Sequence, residues 1–326
     1  MPLLDGARAD AVEQAAQALL RGELVAMPTE TVYGLAARAD DDAAVGAIFR
    51  LKGRPPDHPL IVHVADRAGA QAFAAVLTPS AERLIDRHWP GPVTVIVRRA
   101  EGRGTAAAAG LPTIGLRCPS HPVARTLLAR CAALGMPGLA APSANRFGAV
   151  SPTTAAHVAA EFGDALLVLD GGACELGIES TIVDCSKRRP VLLRPGVLTR
   201  AELKRALGES VVDVGAEDEA TPAPGTLESH YAPKATLRLM ETQQLGRALS
   251  VLPASMTGLA VYSRSAPRRH RWVRTMPDDP KAVARELYAV LREFDAAGVK
   301  LIWVERPPDT PEWEGVTDRL QRAAAP

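Results

Sequence analysis

Lys52 and Arg54 stand at the end of an apolar, helix-patterned stretch and are followed at once by Pro55 and Pro56. Prolines there stop the helix sharply and fix the direction of the two cations, an arrangement suited to a phosphate. The same cations would also complement a helix dipole, as basic residues near a C-terminus commonly do. Thr29, Glu30, Thr31 and Tyr33 set hydroxyls and a carboxylate just beyond the apolar run Val25–Met27, and open α/β sheets bind ligands at their strand ends. Thr113 and Arg117 lie four apart on an extended segment, so alternation turns them to one face, where they can share a ligand. Otherwise Arg117 would form a surface ion pair, which is worth little. His63 is embedded in an apolar strand, where a hydrogen-bonded core histidine is the commoner outcome. Residues 138–142 read as a small-residue strand leading into Ser143, Ala144 and Asn145, and small residues let a ligand approach the backbone.

The elements that must position these groups follow from periodicity and punctuation. Val12, Ala15, Ala16 and Leu19 stripe a helix over 9–20, which Gly22 ends. Gly34 closes a turn, and Asp40, Asp41 and Asp42 offer cap oxygens to the helix carrying Val45, Ile48, Phe49 and Leu51. Strands are expected at 60–64, 93–97, 166–169, 180–183 and 191–193, with Glu179 and Ser180 at the start of one and Arg194 at the end of another. Helices are expected at 67–76, 80–88, 122–131 and 199–207, and one opens at Ser151-Pro152 with Ser151 or Thr153 as its cap. Residues 208–234 are acidic, contain proline and lack periodicity, which marks a linker, yet they end in His230 and Tyr231. A second α/β unit follows, with strands at 236–239, 259–262, 272–274 and 301–304. Its helices are one striped by Val283, Leu287, Leu291 and Phe294, and a last one over 313–324.

A chain of 326 residues that is 47% hydrophobic can bury a core for two domains, and its formal charge of +1 excludes a broadly basic nucleic-acid coat. No apolar run approaches the ~20 residues that span a bilayer, and the start lacks a secretory pattern, so a cytoplasmic protein without membrane partners is expected. Cys118, Cys131, Cys174 and Cys185 form no Cys-x-x-Cys pair and are expected as buried free thiols, with no metal site. GRGTAA at 102–107 superficially fits a dinucleotide fingerprint, but Gly110 and Pro112 interrupt the helix that should follow, and a P-loop motif is missing too.

Several blocks together resemble the threonylcarbamoyl-AMP synthase family, in the long two-domain form of the YrdC-like superfamily. They are PTETVYGLAA (28–37), KGRPPDHPLIVHV (52–64), WPGPVT (89–94), TIGLRCPSHPVA (113–124), APSANRFGAVSPT (141–153), GIESTIVD (177–184), LLRPG (192–196) and SHYAPKA (229–235). The resemblance implies a catalytic domain over 1–207 built on a YrdC-like twisted open mixed sheet with flanking helices. A smaller Rossmann-like α/β domain over 235–326 completes it, and the length of the aperiodic linker over 208–234 with its terminal aromatic points to a lid over the site, the alternative being that His230 and Tyr231 only anchor the second domain. The resemblance implies synthesis of L-threonylcarbamoyladenylate from L-threonine, bicarbonate and ATP with release of pyrophosphate. The product would serve a downstream threonylcarbamoyl-transferase machinery that modifies tRNA, with tRNA itself a further partner and Mg2+ carried on the nucleotide. By the same resemblance Thr31, His63, Arg117, Ala141 and Ser180 contact threonine. Arg54, His58, Thr113, Ser143, Ser151, Arg194 and Tyr231 contact ATP, and Lys52 with Arg54 stabilises phosphate without any acid or base being assigned. His58 departs from the asparagine frequent in the family, and the linker lacks the usual basic residues before His230.

The residue chemistry fits that implication. Arg117 can grip a carboxylate bidentately as a lone cation among the hydroxyls of Thr31 and Ser180, while Lys52, Arg54 and Arg194 offset triphosphate charge. Lys52 and Arg54 are expected to be exposed. A non-catalytic protein of the same fold that binds tRNA or double-stranded RNA would use the cations equally well, but has no call for a carboxylate clamp. A carbamoyl-adenylate enzyme of hydrogenase maturation is the other alternative; it would usually carry extra zinc-finger-like and acylphosphatase-like parts.

Overall fold

A computed structural model describes residues 3–215, 221–227, 229–253, 257–267 and 272–325. The first unit runs β1 (Leu3–Asp5), α1 (Ala9–Leu20), β2 (Val25–Met27), β3 (Gly34–Arg38), α2 (Asp42–Lys52), β4 (Ile61–His63), α3 (Arg67–Gln71), α4 (Pro79–His88) and β5 (Val93–Arg98). It continues with β6 (Thr113–Arg117), α5 (Pro122–Ala133), β7 (Leu139–Ala140), α6 (Ala155–Phe162), β8 (Leu167–Asp170), β9 (Thr181–Asp184), β10 (Val191–Arg194), α7 (Arg200–Leu207) and β11 (Val212–Asp213). These strands make one mixed 11-stranded sheet in the order β1-β8-β2-β3-β7-β4-β6-β5-β9-β10-β11. The second unit comprises β12 (Thr236–Met240), α8 (Thr242–Val251), β13 (Leu259–Ser263), β14 (Trp272–Thr275), α9 (Pro280–Ala296), β15 (Leu301–Glu305) and α10 (Glu314–Ala324). Its four strands are all parallel, in the order β12-β15-β13-β14. Parallel strands need crossovers, which the intervening helices supply.

Local chemistry explains the elements that carry the site. Asp41 caps α2 through Ala43 N and Ala44 N, and Gly53 at φ 65° ends it in the left-handed conformation that glycine adopts without a Cβ penalty. Thr199 and Glu202 close a reciprocal capping box on α7. On the central strands β4 and β6 the register pairs His63 directly with Arg117, so two candidate residues far apart in sequence become neighbours.

Several expectations are corrected. Gly34 does not close a turn but begins the unforeseen strand β3, antiparallel to β2; the small residues there are buried and show no alternation. The helix expected at 67–76 stops at Gln71, because Ala74 is drawn into a bridge with Arg99. Helix α6 is capped by Thr154, which accepts from His157 N, and not by Ser151 or Thr153. Within 208–234 the chain forms β11 beside β10; residues 216–220 and 228 of this stretch lie outside the described residues. Helix α8 was unforeseen. The four cysteines are free and buried, and among the described residues no helix is long and apolar enough to cross a membrane.

The cores do not follow the chain boundary strictly. Val32, Val150 and Ile178 of the first unit belong to the apolar cluster that holds Tyr262, Tyr288, Phe294 and Leu320 of the second. The two units therefore share buried surface beside the candidate site.

Candidate active site

The strand ends and loops of the first unit converge on a cleft with about 550 Å³ of empty space, part of it open to solvent. Thr29 and Thr31 reach it from the loop after β2, His63 and Arg117 from the ends of β4 and β6, and Ala141 and Ser143 from the segment after β7. Glu179, Ser180 and Arg194 form another wall, and Pro224, Gly225, His230 and Tyr231 of the linker close over it.

Arg117 is the centre of one end. Its NH1 donates to Thr31 Oγ at 2.9 Å, while Thr31 Oγ also lies 2.9 Å from Thr29 Oγ. It is not the lone cation expected from sequence. Its NH2 sits 2.7 Å from Glu30 Oε1, and both side chains are buried. This ion contact lacks hydrogen-bond alignment, so Arg117 Nε and NH2 and both Glu30 oxygens keep unused hydrogen-bonding capacity, as does His63 Nδ1. Buried polar atoms without partners are rare in native proteins, and here they cluster at a cavity wall, which marks a place for a polar ligand. Burial, then the charge of Arg117, pushes His63 down to about 3, so its imidazole is neutral near pH 7. β3 approaches the next wall closely at Gly34, where a Cβ would lie 3.2 Å from that of Ala141, a tight contact.

Arg194 organises the other end. Its Nε and NH2 donate to Ser180 O at 3.1 and 3.0 Å, its NH2 to Ser180 Oγ at 3.2 Å, and its NH1 to Pro224 O at 2.9 Å. Ser180 Oγ in turn is 2.8 Å from Thr94 Oγ. Arg54 enters from the end of α2, held by Pro59 O at 3.0 Å and lying over the Phe147 ring at 5.5 Å. Burial lowers its guanidinium to about 10, which leaves it cationic.

Lys52 and Arg54 are buried, only 3% and 7% exposed, where exposure was expected. Lys52 is the last residue of α2 and lies on its buried face, and the αL cap at Gly53 leads the chain into Arg54. Lys52 Nζ donates to Ser143 O at 2.6 Å and Asn145 O at 2.5 Å, behind the cavity wall. Burial, reinforced by Arg54, holds its ammonium well below the ordinary value. Ser151 also stands behind the wall, donating to Glu179 Oε1 at 2.6 Å. Thr113 lines a smaller adjoining cavity that shares Ile61 and Pro224 with the main one. His58 packs against the Phe147 ring at 5.6 Å, which also meets His230 at 5.9 Å.

Tyr231 bridges the two units. It is buried, has a positive φ of 60°, which is uncommon for a non-glycine residue, and places its hydroxyl 3.5 Å from Arg194 NH1. Its ring stacks on Tyr288 at 5.8 Å. The neighbouring backbone is tied down by Ala232 N to Gly148 O and by His230 N to Arg322 O.

A concave cleft on the strand ends of an open mixed sheet, with buried cations at both ends and hydroxyls between them, fits an enzyme that aligns small anionic substrates. A flat nucleic-acid surface would not enclose its cations. A family model described as telomere recombination matches residues 17–196, and one described as threonylcarbamoyl-AMP synthase, C-terminal domain, matches residues 198–325. The threonylcarbamoyl-AMP synthase of Bacillus subtilis is 38% identical over 96% of this chain and 92% of its own length. A crystal structure of Pyrococcus abyssi Sua5 complexed with L-threonine superposes with a TM-score of 0.89 at 35% identity, covering 97% of this chain and 95% of that one. A P. abyssi Sua5 structure with a His-Tyr pair replaced by alanines gives the same TM-score, at 34% identity over 99% and 96% of the two chains. The chain belongs to the threonylcarbamoyl-AMP synthase family, and its activity is the synthesis of threonylcarbamoyl-AMP.

Sequence reasoning missed Glu30 as the partner of Arg117, although it lies one residue from Thr31. It also missed Tyr288 and Arg319, which reach Glu179 from α9 and α10; no local motif surrounds either.

Proposed function

We propose that this protein condenses L-threonine with bicarbonate and joins the resulting carbamate to the α-phosphorus of ATP, releasing pyrophosphate. The observation that carries the reading is one cleft lined by Arg117, Thr31 and His63 at one end and by Arg54 and Arg194 at the other. Arg117 takes the threonine carboxylate through the donors it holds unused, Thr31 and Ser180 orient the polar groups, and Ala141 with neutral His63 bounds the side chain. Arg54, Ser143, Arg194 and Tyr231 take the nucleotide; Thr113 reaches it through the adjoining cavity. His58 and Ser151 support it from behind the wall, and Lys52 acts by fixing the backbone of 143–145.

Adenylation is mostly a problem of alignment and charge, and needs no protein nucleophile. The carbamate oxygen bonds to phosphorus, the bond to the bridging oxygen breaks, and that oxygen leaves with pyrophosphate. The residues fit Mg2+ held by the nucleotide: guanidinium groups face the phosphate end, and the Glu179 oxygens are already engaged. Such an ion would supply charge neutralisation on the phosphates. Residues 208–234 act as a lid that keeps water from the adenylate. The product passes to a transferase machinery that acts on tRNA, and the protein works in the cytoplasm. The match over 198–325 favours the two-domain synthase over the hydrogenase-maturation alternative.

The test is 18O-labelled bicarbonate with ATP and L-threonine. Label in threonylcarbamoyl-AMP and none in pyrophosphate supports attack at the α-phosphorus. Release of ADP and inorganic phosphate instead would mean that the γ-phosphorus is attacked and the reading is wrong.

A further inference from the structure

Glu179 lines the cavity, yet its carboxylate is held from the second unit. Oε2 accepts from Arg319 Nε at 2.8 Å and from Tyr288 Oη at 2.9 Å, while Oε1 accepts from Ser151. Arg319 has no exposed side-chain surface; its NH1 also donates to Pro195 O at 3.0 Å and pairs with Asp318. Its guanidinium lies 5.2 Å from the Tyr231 ring, on which Tyr288 stacks. Tyr231 is thus placed by the same two side chains that hold Glu179.

The backbones on either side of Glu179 are equally close to the second unit. A Cβ on Gly177 would collide with the main chain of Ala284 and Arg285 on α9, and one on Gly315 of α10 would collide with Gly196 O. Helices α9 and α10 therefore clamp the segment that carries Glu179, Ser180 and Arg194. An unneutralised carboxylate here would oppose a triphosphate. Burial would raise Glu179, but Arg319 and Arg194 hold it down at about 2, so it stays ionised and charge-paired.

We propose that Arg319 and Tyr288 are positioning residues of the adenylation site, through which the C-terminal domain holds Glu179 and Tyr231 in place and so completes the nucleotide end of the cavity. The proposal rests on the assignment of that end to ATP. Neither residue touches substrate; each acts through Glu179, Tyr231 and Arg194.

The experiment compares Tyr288→Phe, Arg319→Lys and Arg319→Met with the wild type in the full chain. Adenylate synthesis gives kcat and KM for ATP, calorimetry gives the threonine Kd, and melting reports the fold. Losing one hydrogen bond to a charged group should raise KM for ATP by roughly tenfold in Tyr288→Phe, with the threonine Kd within about twofold. Arg319→Met should be worse, and Arg319→Lys should recover part of the loss. Unchanged KM for ATP in Tyr288→Phe and Arg319→Lys would overturn the proposal, even if Arg319→Met fails to fold. So would a threonine Kd that weakens in parallel with KM for ATP, which would indicate a general loosening of the cleft; a smaller folded fraction would instead lower the calorimetric stoichiometry and kcat. A wild type that makes no adenylate, by contrast, would sink the functional reading itself.

Discussion

Replacing Arg117 by alanine should damage two things at once, and the structure separates them. Arg117 and Glu30 are 2.7 Å apart with side chains only 4% and 3% exposed. At an effective dielectric of ~20 their attraction is roughly 6 kcal/mol, much of it offset by the cost of desolvating both charges. Removing one partner of such a buried pair leaves the other charge stranded, which costs about 3 to 5 kcal/mol of stability. The substitution also removes the donor to Thr31. Threonine should lose a charge-assisted contact worth about 1.5 to 3 kcal/mol, roughly ten- to a hundredfold in affinity. The added change Glu30→Gln should recover part of the stability, since a neutral amide is cheaper to bury, but none of the threonine affinity. Urea denaturation and calorimetry with L-threonine read the two effects. If Arg117→Ala unfolds within about 1 kcal/mol of the wild type, the pair is not desolvated and the electrostatic argument fails. If its threonine Kd is unchanged, the clamp is wrong.

Lys52→Met should destabilise by about 2 to 4 kcal/mol, because the carbonyls of Ser143 and Asn145 lose their shared donor; an unshifted urea midpoint would refute this. Gly225→Ala should impair ATP use, since Gly225 has φ +72° and a Cβ there would collide with Tyr231 Oη and lie 2.8 Å from Arg194 NH1. Left-handed strain adds about 1 to 2 kcal/mol, and wild-type KM for ATP would contradict the close packing. Acid should weaken the fold before the carboxylates titrate. His63 and His230 are held at about 3, chiefly by burial, so the unfolded chain takes up protons below about 6.5 while the folded one does not. Their contribution is fully present above that pH and falls by about 2 kcal/mol each on going from pH 7 to 5. Equal stability at the two pH values would show that these rings are solvated.

The parts of the site legible in the sequence were those written locally. Asp41 announces the start of α2, Gly53 and the prolines announce its end, and the Thr29–Tyr33 loop announces a strand end. What stayed hidden depends on distant packing. The burial of Lys52 follows from the position of residues 143–145, and Arg117 meets Glu30 only because β6 pairs with β4 next to the β2–β3 loop. Strand β3 hid because its small residues are buried without alternating. Arg319 has no local motif around it, and it meets Glu179 only because α10 docks beside Gly196.

The central claim is that one cavity assembles threonine, bicarbonate and ATP into a single product. Its most direct test is to follow threonylcarbamoyl-AMP and pyrophosphate by mass spectrometry while omitting each substrate in turn. Both products should appear in equal amounts with all three present, and neither with any one missing. Pyrophosphate release that persists without threonine or without bicarbonate would contradict the account.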